Sequence, residues 1–180
     1  MQKFLLFVIA GLMIFLQIGC ASKGPLFTEQ AIPEKIGMNS YSIKIVDKRE
    51  NVQDAPPRVP FISFPWQDNK ASLKVDEEIE NILNMAILSL KSSSDRKLTF
   101  ETEIIEGYLQ FIADAFSETE KVSWKLSIRI YEGANKIMEG HGSCWGERKS
   151  IDASPKRLKR MYLNCFEKAV INALLNRKKS

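Results

Sequence analysis

In the strand-like stretch around GHGSCWG, residues 140–146, small side chains fall at alternate positions. Met138, Gly140, Gly142 and Cys144 share one side, while Glu139, His141, Ser143 and Trp145 share the other. Glycine weakens a strand interior because it has no side chain to pack, so its repetition there marks a place where another backbone comes close. The approaching element follows in sequence. Ser154-Pro155 supplies a cap and a first-turn proline. Beyond it Leu158, Met161, Tyr162, Cys165, Phe166, Ala169, Val170, Ala173 and Leu174 recur at helical spacing as one apolar stripe. A glycine-faced strand and a stripe of this kind predict a helix lying tight on a sheet, which restricts the chain to layered folds of α and β elements.

The rest of the chain fills in that frame. Tyr41, Ile43 and Ile45 alternate with Ser42, Lys44 and Val46 before Asp47-Lys48-Arg49, a half-buried strand ending in charge. Val75, Ile79, Ile82, Leu83, Ala86 and Leu90 recur at helical spacing, with Asp76, Glu77 and Glu78 in the first turn and Lys91 at the end, as the helix dipole favours. Leu98, Phe100, Thr102 and Ile104 alternate with polar residues; Gly107 then predicts a bulge that switches the inward face before Leu109, Phe111 and Ala113. After a polar stretch, residues 117–121, Trp124, Leu126, Ile128 and Ile130 form another alternating strand. Glu132-Gly133-Ala134-Asn135 turns it into residues 137–146. The expected fold is α+β: a four-stranded, mainly antiparallel sheet with two helices on one face, in the order strand, helix, three strands, helix. Residues 50–71 read as a long connection carrying four prolines and Phe61, Phe64 and Trp66.

The N-terminus carries a different kind of information. Lys3 precedes residues 4–18, an apolar run interrupted only by Gly11 and Gln17. Crossing a bilayer takes about 20 apolar residues, so the run is too short to span one. A positive start, a short apolar core and a small-residue end form an export signal, and here Gly19-Cys20 closes it. This resembles a bacterial lipoprotein signal, with Gln17 departing from the usual pattern and Leu16 displaced one place upstream. The resemblance implies cleavage before Cys20, a diacylglyceryl group on its sulfur and acylation of the new amino group. Each buried methylene contributes about 0.8 kcal/mol, so two or three chains hold a protein firmly on a membrane. Ala21, Ser22 and Lys23 follow without the Asp that retains many lipoproteins at the inner membrane, which implies the outer membrane, periplasmic side. Residues 1–19 are then the signal, 20–37 a lipidated tether and 38–180 a single domain. With that signal, the strand ending IVDKR, the turn YEGANK and the final amphipathic helix, residues 36–176 resemble the YajG-type lipoproteins. The likeness extends more remotely to the auxiliary lipoproteins of envelope transporters. KSSSDRK stands where such proteins often have a glycine-aromatic turn. The resemblance implies an outer-membrane lipoprotein without assigned enzymatic activity.

Composition and motifs bound the chemistry. The formal net charge is +4, and basic residues cluster at 156–160 and 177–179. An exported chain rarely meets nucleic acid, so none is expected as a partner; a solvated helix face accounts for these cations. The single histidine, His141, has Ser143 and Glu139 as same-face neighbours. A polar outer face alone produces that grouping, so the chain reads as a non-enzyme. One His without CxxC or HxxxH spacing leaves too few ligands for a metal, and no cofactor motif is present. Cys144 and Cys165 fall on facing sides of the last strand and the last helix. They are a candidate disulfide worth roughly 3 kcal/mol for a loop of about 20 residues, or else two buried thiols. VPFISFPW, residues 59–66, is the candidate partner-binding segment through Phe61, Phe64 and Trp66; packing of those side chains over the open end of the sheet is the alternative. The function expected is a non-catalytic binding or accessory module that meets the membrane through Cys20 and a protein partner in the cell envelope. A small-ligand or lipid carrier is the alternative, opposed by the tight glycine-lined contact. The oligomeric state is not readable from the sequence.

Overall fold

Residues 33–56, 67–113, 117–150 and 154–179 are described in this computed structural model. In chain order they form β1 (Ile36–Gly37), β2 (Ser40–Asp47), β3 (Val52–Gln53), β4 (Gln67–Leu73), α1 (Glu77–Ser89), β5 (Lys91–Ser92), β6 (Lys97–Ala113), β7 (Glu118–Glu132), β8 (Asn135–Ser150), α2 (Pro155–Leu175) and β9 (Lys178–Lys179). No described helix is long and apolar enough to cross a membrane.

The sheet is organised around β6, which is 17 residues long. Its even-numbered residues are buried as far as Ile104, and its odd-numbered ones from Gly107 onward. The register slips between Ile104 and Glu106, so Ile105 is the inserted residue, and it is left exposed. The expected change of face is present, two residues earlier than Gly107 suggested. The kink divides one edge of β6 between two partners: β2 runs parallel to Lys97–Ile104, and β4 runs antiparallel to Leu109–Ala113. On the other side follow β7, β8 and the short β9, all antiparallel, while β3 adds to β4 in parallel.

The architecture is α+β with a mostly antiparallel sheet, but the sheet has seven strands rather than the expected four. The largest omission is β4, whose sequence QDNKASL has no apolar alternation. Of its described side chains it buries only Ala71 and Leu73, and beyond the two-residue β3 its pairing is with β6, so its strand state comes mainly from that ladder. A separate two-stranded parallel pair, β1 with β5, falls partly in the stretch expected to be a tether, and Ile36 and Met38 are buried there.

Both helices start at recognisable caps. The Asp76 carboxylate accepts from Ile79 N at 3.1 Å, and the Ser154 hydroxyl accepts from Arg157 N at 3.3 Å. The buried Glu120 carboxylate of β7 accepts from Arg157 Nε at 3.0 Å and from Ser154 N at 3.4 Å, placing negative charge at the positive end of α2. α2 lies over β7 and β8 and touches α1, and the Lys159 ammonium bridges to Glu78 at 2.5 Å. The Tyr41 hydroxyl donates to Asn84 Oδ1 at 2.7 Å, tying β2 to α1. Gly140 and Gly142 sit under α2. A Cβ on Gly140 would fall 2.0 Å from the Ala173 carbonyl oxygen, and one on Gly142 would fall 1.9 Å from that of Ala169.

Candidate interaction surface

Two faces of the sheet carry different chemistry. On the inner face the Arg of the IVDKR stretch is a lock. Arg49 Nη2 and Nε donate to the two Asp47 carboxylate oxygens at 2.7 and 2.8 Å, and Nη1 donates to the Gly107 carbonyl at 3.2 Å and the Tyr162 hydroxyl at 2.9 Å. The guanidinium also stands 5.0 Å from the Trp124 ring. The Trp124 indole in turn donates to the Tyr162 carbonyl at 3.0 Å. This one cluster joins the end of β2, the bulge of β6, the middle of β7 and the second turn of α2. Burial pushes the Asp47 carboxyl up, yet the Arg49 hydrogen bonds and charge outweigh it and hold it below its usual value. Burial also pushes the Tyr162 hydroxyl up, to about 12, with Arg49 opposing. The donors are committed and the site is filled by its own side chains, so it is built for rigidity.

The outer face carries a row of alternating charges across four adjacent strands. Lys44, Glu101, Arg129 and Glu139 are register partners in turn. Their contacts are 2.7 Å for Lys44 to Glu101, 3.4 Å for Arg129 to Glu101 and 2.9 Å for Arg129 to Glu139. Glu103 adds a 2.7 Å contact to Arg129, and Lys136 a 2.7 Å contact to Glu139. The hydrogen bonds that Arg129 donates to Glu139 and Glu103 raise its pKa, and those that Glu139 accepts from Lys136 and Arg129 hold its carboxyl below the usual value. Solvent screens these partly exposed pairs, so each contributes little alone. The row nonetheless neutralises the face and leaves no excess charge along it to attract an anion or a cation.

Trp145 breaks this pattern. It is 74% exposed, on β8, in a row with Ser123 and the Tyr108 ring, over which the Lys70 ammonium lies at 3.8 Å. Among the described residues Trp145 is the most exposed large apolar side chain, ahead of Met85, Leu88 and Ile105. His141 stands two strand pairs away on the same face, exposed, beside a shallow recess also lined by Leu175, Asn176, Arg177 and Lys178. Glu139, the acid nearest to it in sequence on that face, is bonded to Arg129 and Lys136 and so is not oriented toward the imidazole. Among the described residues no group of three or more His, Cys, Asp or Glu could hold a metal ion.

Cys144 and Cys165 have Cα atoms 5.4 Å apart and are joined as a disulfide between β8 and α2. Cys20, Phe61, Phe64 and Trp66 lie outside the described residues. Sequence reading missed two features. The Arg49 lock joins residues up to 113 positions apart, which no local pattern announces. The Arg129 hub was signalled only by an Arg at an outward strand position.

The fold thus defines an α+β layer protein with a sealed helix face and an open, charge-paired face. No protein-family model matches the chain, and no curated protein matches it. Among solved structures it is similar to a minor lipoprotein from Acinetobacter baumannii, at 10% identity over 78% of this chain and 95% of that one, with a TM-score of 0.43. It is also similar to a Xanthomonas campestris protein of the DUF330 family, at 8% identity over 79% of this chain and 85% of that one, with a TM-score of 0.46.

Proposed function

We propose that this chain is a lipid-anchored, non-catalytic binding or accessory module of the bacterial envelope. It is held through Cys20 at the outer membrane and faces the periplasm. The observation that carries the role is the contact of α2 with β8. Backbone meets backbone at Gly140 and Gly142, and eight α2 residues are buried along that helix, so the layer where a carrier would keep its ligand is filled. A protein of this build acts through its surface. The address rests on Cys20 and the short apolar run before it, and the protein partner is met through contacts that include Phe61, Phe64 and Trp66. Metabolic labelling with palmitate tests the foundation: the wild type takes up label and Cys20→Ser does not. Equal labelling of the two removes the address, and native mass spectrometry showing a stoichiometric lipid held by the Cys20→Ser protein would favour the carrier instead.

A further inference from the structure

Among the described residues β8 is the last long strand of its sheet. Beyond it, β9 pairs only with Met138 and Glu139, so residues 140–150 have no described strand on that side. Asn172 reaches over the edge from α2 and donates to the Ser143 carbonyl at 3.0 Å, which puts that carbonyl on the free side. In an antiparallel strand the N–H and C=O of one residue point the same way and successive residues alternate. His141, Ser143, Trp145, Glu147 and Lys149 therefore direct their backbone groups outward along the edge. Such an edge is a template for another strand, and proteins commonly blunt it with proline, inward-pointing charge or a cover. Here the stretch has no proline, its helix-side positions are Gly140, Gly142, Cys144 and Gly146 with one charge, Arg148, near the end, and its centre carries the exposed Trp145.

We propose that this edge pairs with the same edge of a second copy, antiparallel about a two-fold axis through Trp145. The position of the axis follows from the ends of the open stretch. β9 blocks pairing beyond residue 140, and β8 ends at Ser150, so the longest self-pairing that avoids β9 has its midpoint at residue 145. The free backbone groups of Trp145 then meet those of its copy. In that register Ser143 faces Glu147, a hydroxyl donor against a carboxylate, and His141 faces Lys149, an imidazole acceptor against an ammonium. Arg148 comes opposite Gly142, where the missing side chain leaves room. Moving the axis to residue 147 would set Glu147 against its own copy, and like charges directly opposite destabilise. The helix layer also fits. α2 sits over β7 and β8, and with strands spaced about 4.8 Å the two copies of α2 would lie roughly 10 Å apart, an ordinary helix-packing distance. Asn172 stays at its carbonyl, which has a second lone pair to accept from the partner strand. An edge of this length is smaller than a standard interface, so the dimer dissociates on dilution. Neither the lipid anchor nor the segment around Phe61 takes part in this pairing.

Sedimentation velocity on the full-length chain in non-ionic detergent, over a wide concentration range, tests it. The wild type moves from its monomer mass toward twice that value as concentration rises. Trp145→Lys puts like charges on the axis and weakens association about tenfold or more, with no change in melting temperature. Trp145→Pro removes an outward N–H, which an edge strand tolerates, and also abolishes association while the chain stays folded. A wild type that is monomeric throughout overturns the proposal, as does a dimer that both variants leave intact. Unfolding by Trp145→Pro would show that the N–H points toward β7 and overturn the register. Slow hydrogen exchange at the Trp145 amide in the dilute monomer would show that another part of the chain covers the edge, and would overturn the proposal as well.

Discussion

The contact between α2 and β8 predicts a large penalty for adding a single methyl group. In Gly142→Ala the new Cβ would lie 1.9 Å from the Ala169 carbonyl oxygen and 2.6 Å from the Ala173 nitrogen, both backbone atoms that cannot rotate away. Restoring an ordinary contact of 3.4 Å means lifting this part of the helix by about 1.5 Å. A gap of about 0.5–1 Å already forfeits a quarter to a half of the dispersion well for each atom pair, and α2 has eight buried residues to lose contacts from. The expected loss is about 3 kcal/mol, the upper end of ordinary overpacking, which for a chain of this size lowers the melting temperature by about 6–12 °C. Gly146→Ala is the control, on the same strand and the same face. Its Cβ meets only Val122 Cγ2, at 3.5 Å, so relief of glycine's flexibility in a strand, about 0.5–1 kcal/mol, leaves it at or slightly above the wild type. Thermal unfolding by circular dichroism, with urea unfolding as a second measure, compares the three. If Gly142→Ala melts with Gly146→Ala, the helix is not seated on the strand backbone and the case against an internal cavity collapses.

Three further outcomes follow from the same geometry. Reduction of the Cys144–Cys165 bridge, or Cys165→Ala, should destabilise the chain by roughly 3 kcal/mol; alkylation under denaturing conditions should add two more reagent groups with prior reduction than without, the signature of one bridge. Arg49→Met leaves Asp47, the Gly107 carbonyl and the Tyr162 hydroxyl without their shared donor, and urea unfolding should register a loss of about 1–3 kcal/mol. The lock also contributes to the pH dependence of stability. Asp47 has a depressed carboxyl pKa, so its contribution is present above the usual value of 3.8 and is lost as pH falls through the lower folded value. Tyr162 is raised from 10.0 to about 12, so its contribution is complete below pH 10 and is lost as pH rises toward 12. Melting temperatures should fall at both ends, and Tyr162→Phe should flatten the alkaline limb alone.

What could be read from sequence was whatever a short window determines. The glycines of β8 and the stripe of α2 announced each other because each pattern is local and only their meeting is distant. The bulge in β6 was legible for the same reason, since the phase of burial reverses within a few residues. β4 was not legible. QDNKASL carries no strand signal of its own, and it is extended because the second half of β6 offers a free ladder. Arg49 shows the other limit: its side chain is 3% exposed in the structure, whereas an Arg after Asp and Lys in sequence reads as a solvated strand end. The charge became buried only because Tyr162, Gly107 and Trp124 arrive there from three other elements.

The two faces of the sheet are closed in different ways. The inner face is closed by backbone contact at Gly140 and Gly142 and by the Arg49 cluster, and opening it would break both at once. On the outer face the row from Lys44 to Glu139 satisfies its charges within itself, so a charged partner there would have to compete with intramolecular pairs. Among the described residues, unpaired backbone groups and an exposed tryptophan lie together at the periphery of the sheet. On the described residues that periphery is the β8 edge, with Trp145 in the middle and the Cys144–Cys165 bridge fastening the same strand to α2. A strand fixed by a covalent tie on one side and unpaired on the other loses little conformational freedom when it acquires a neighbour, since most of its entropy has already been removed. The disulfide and the open edge then have a common consequence: reduction should weaken self-association as well as stability, whereas a bridge that only held the core would leave the oligomeric state of the folded chain unchanged.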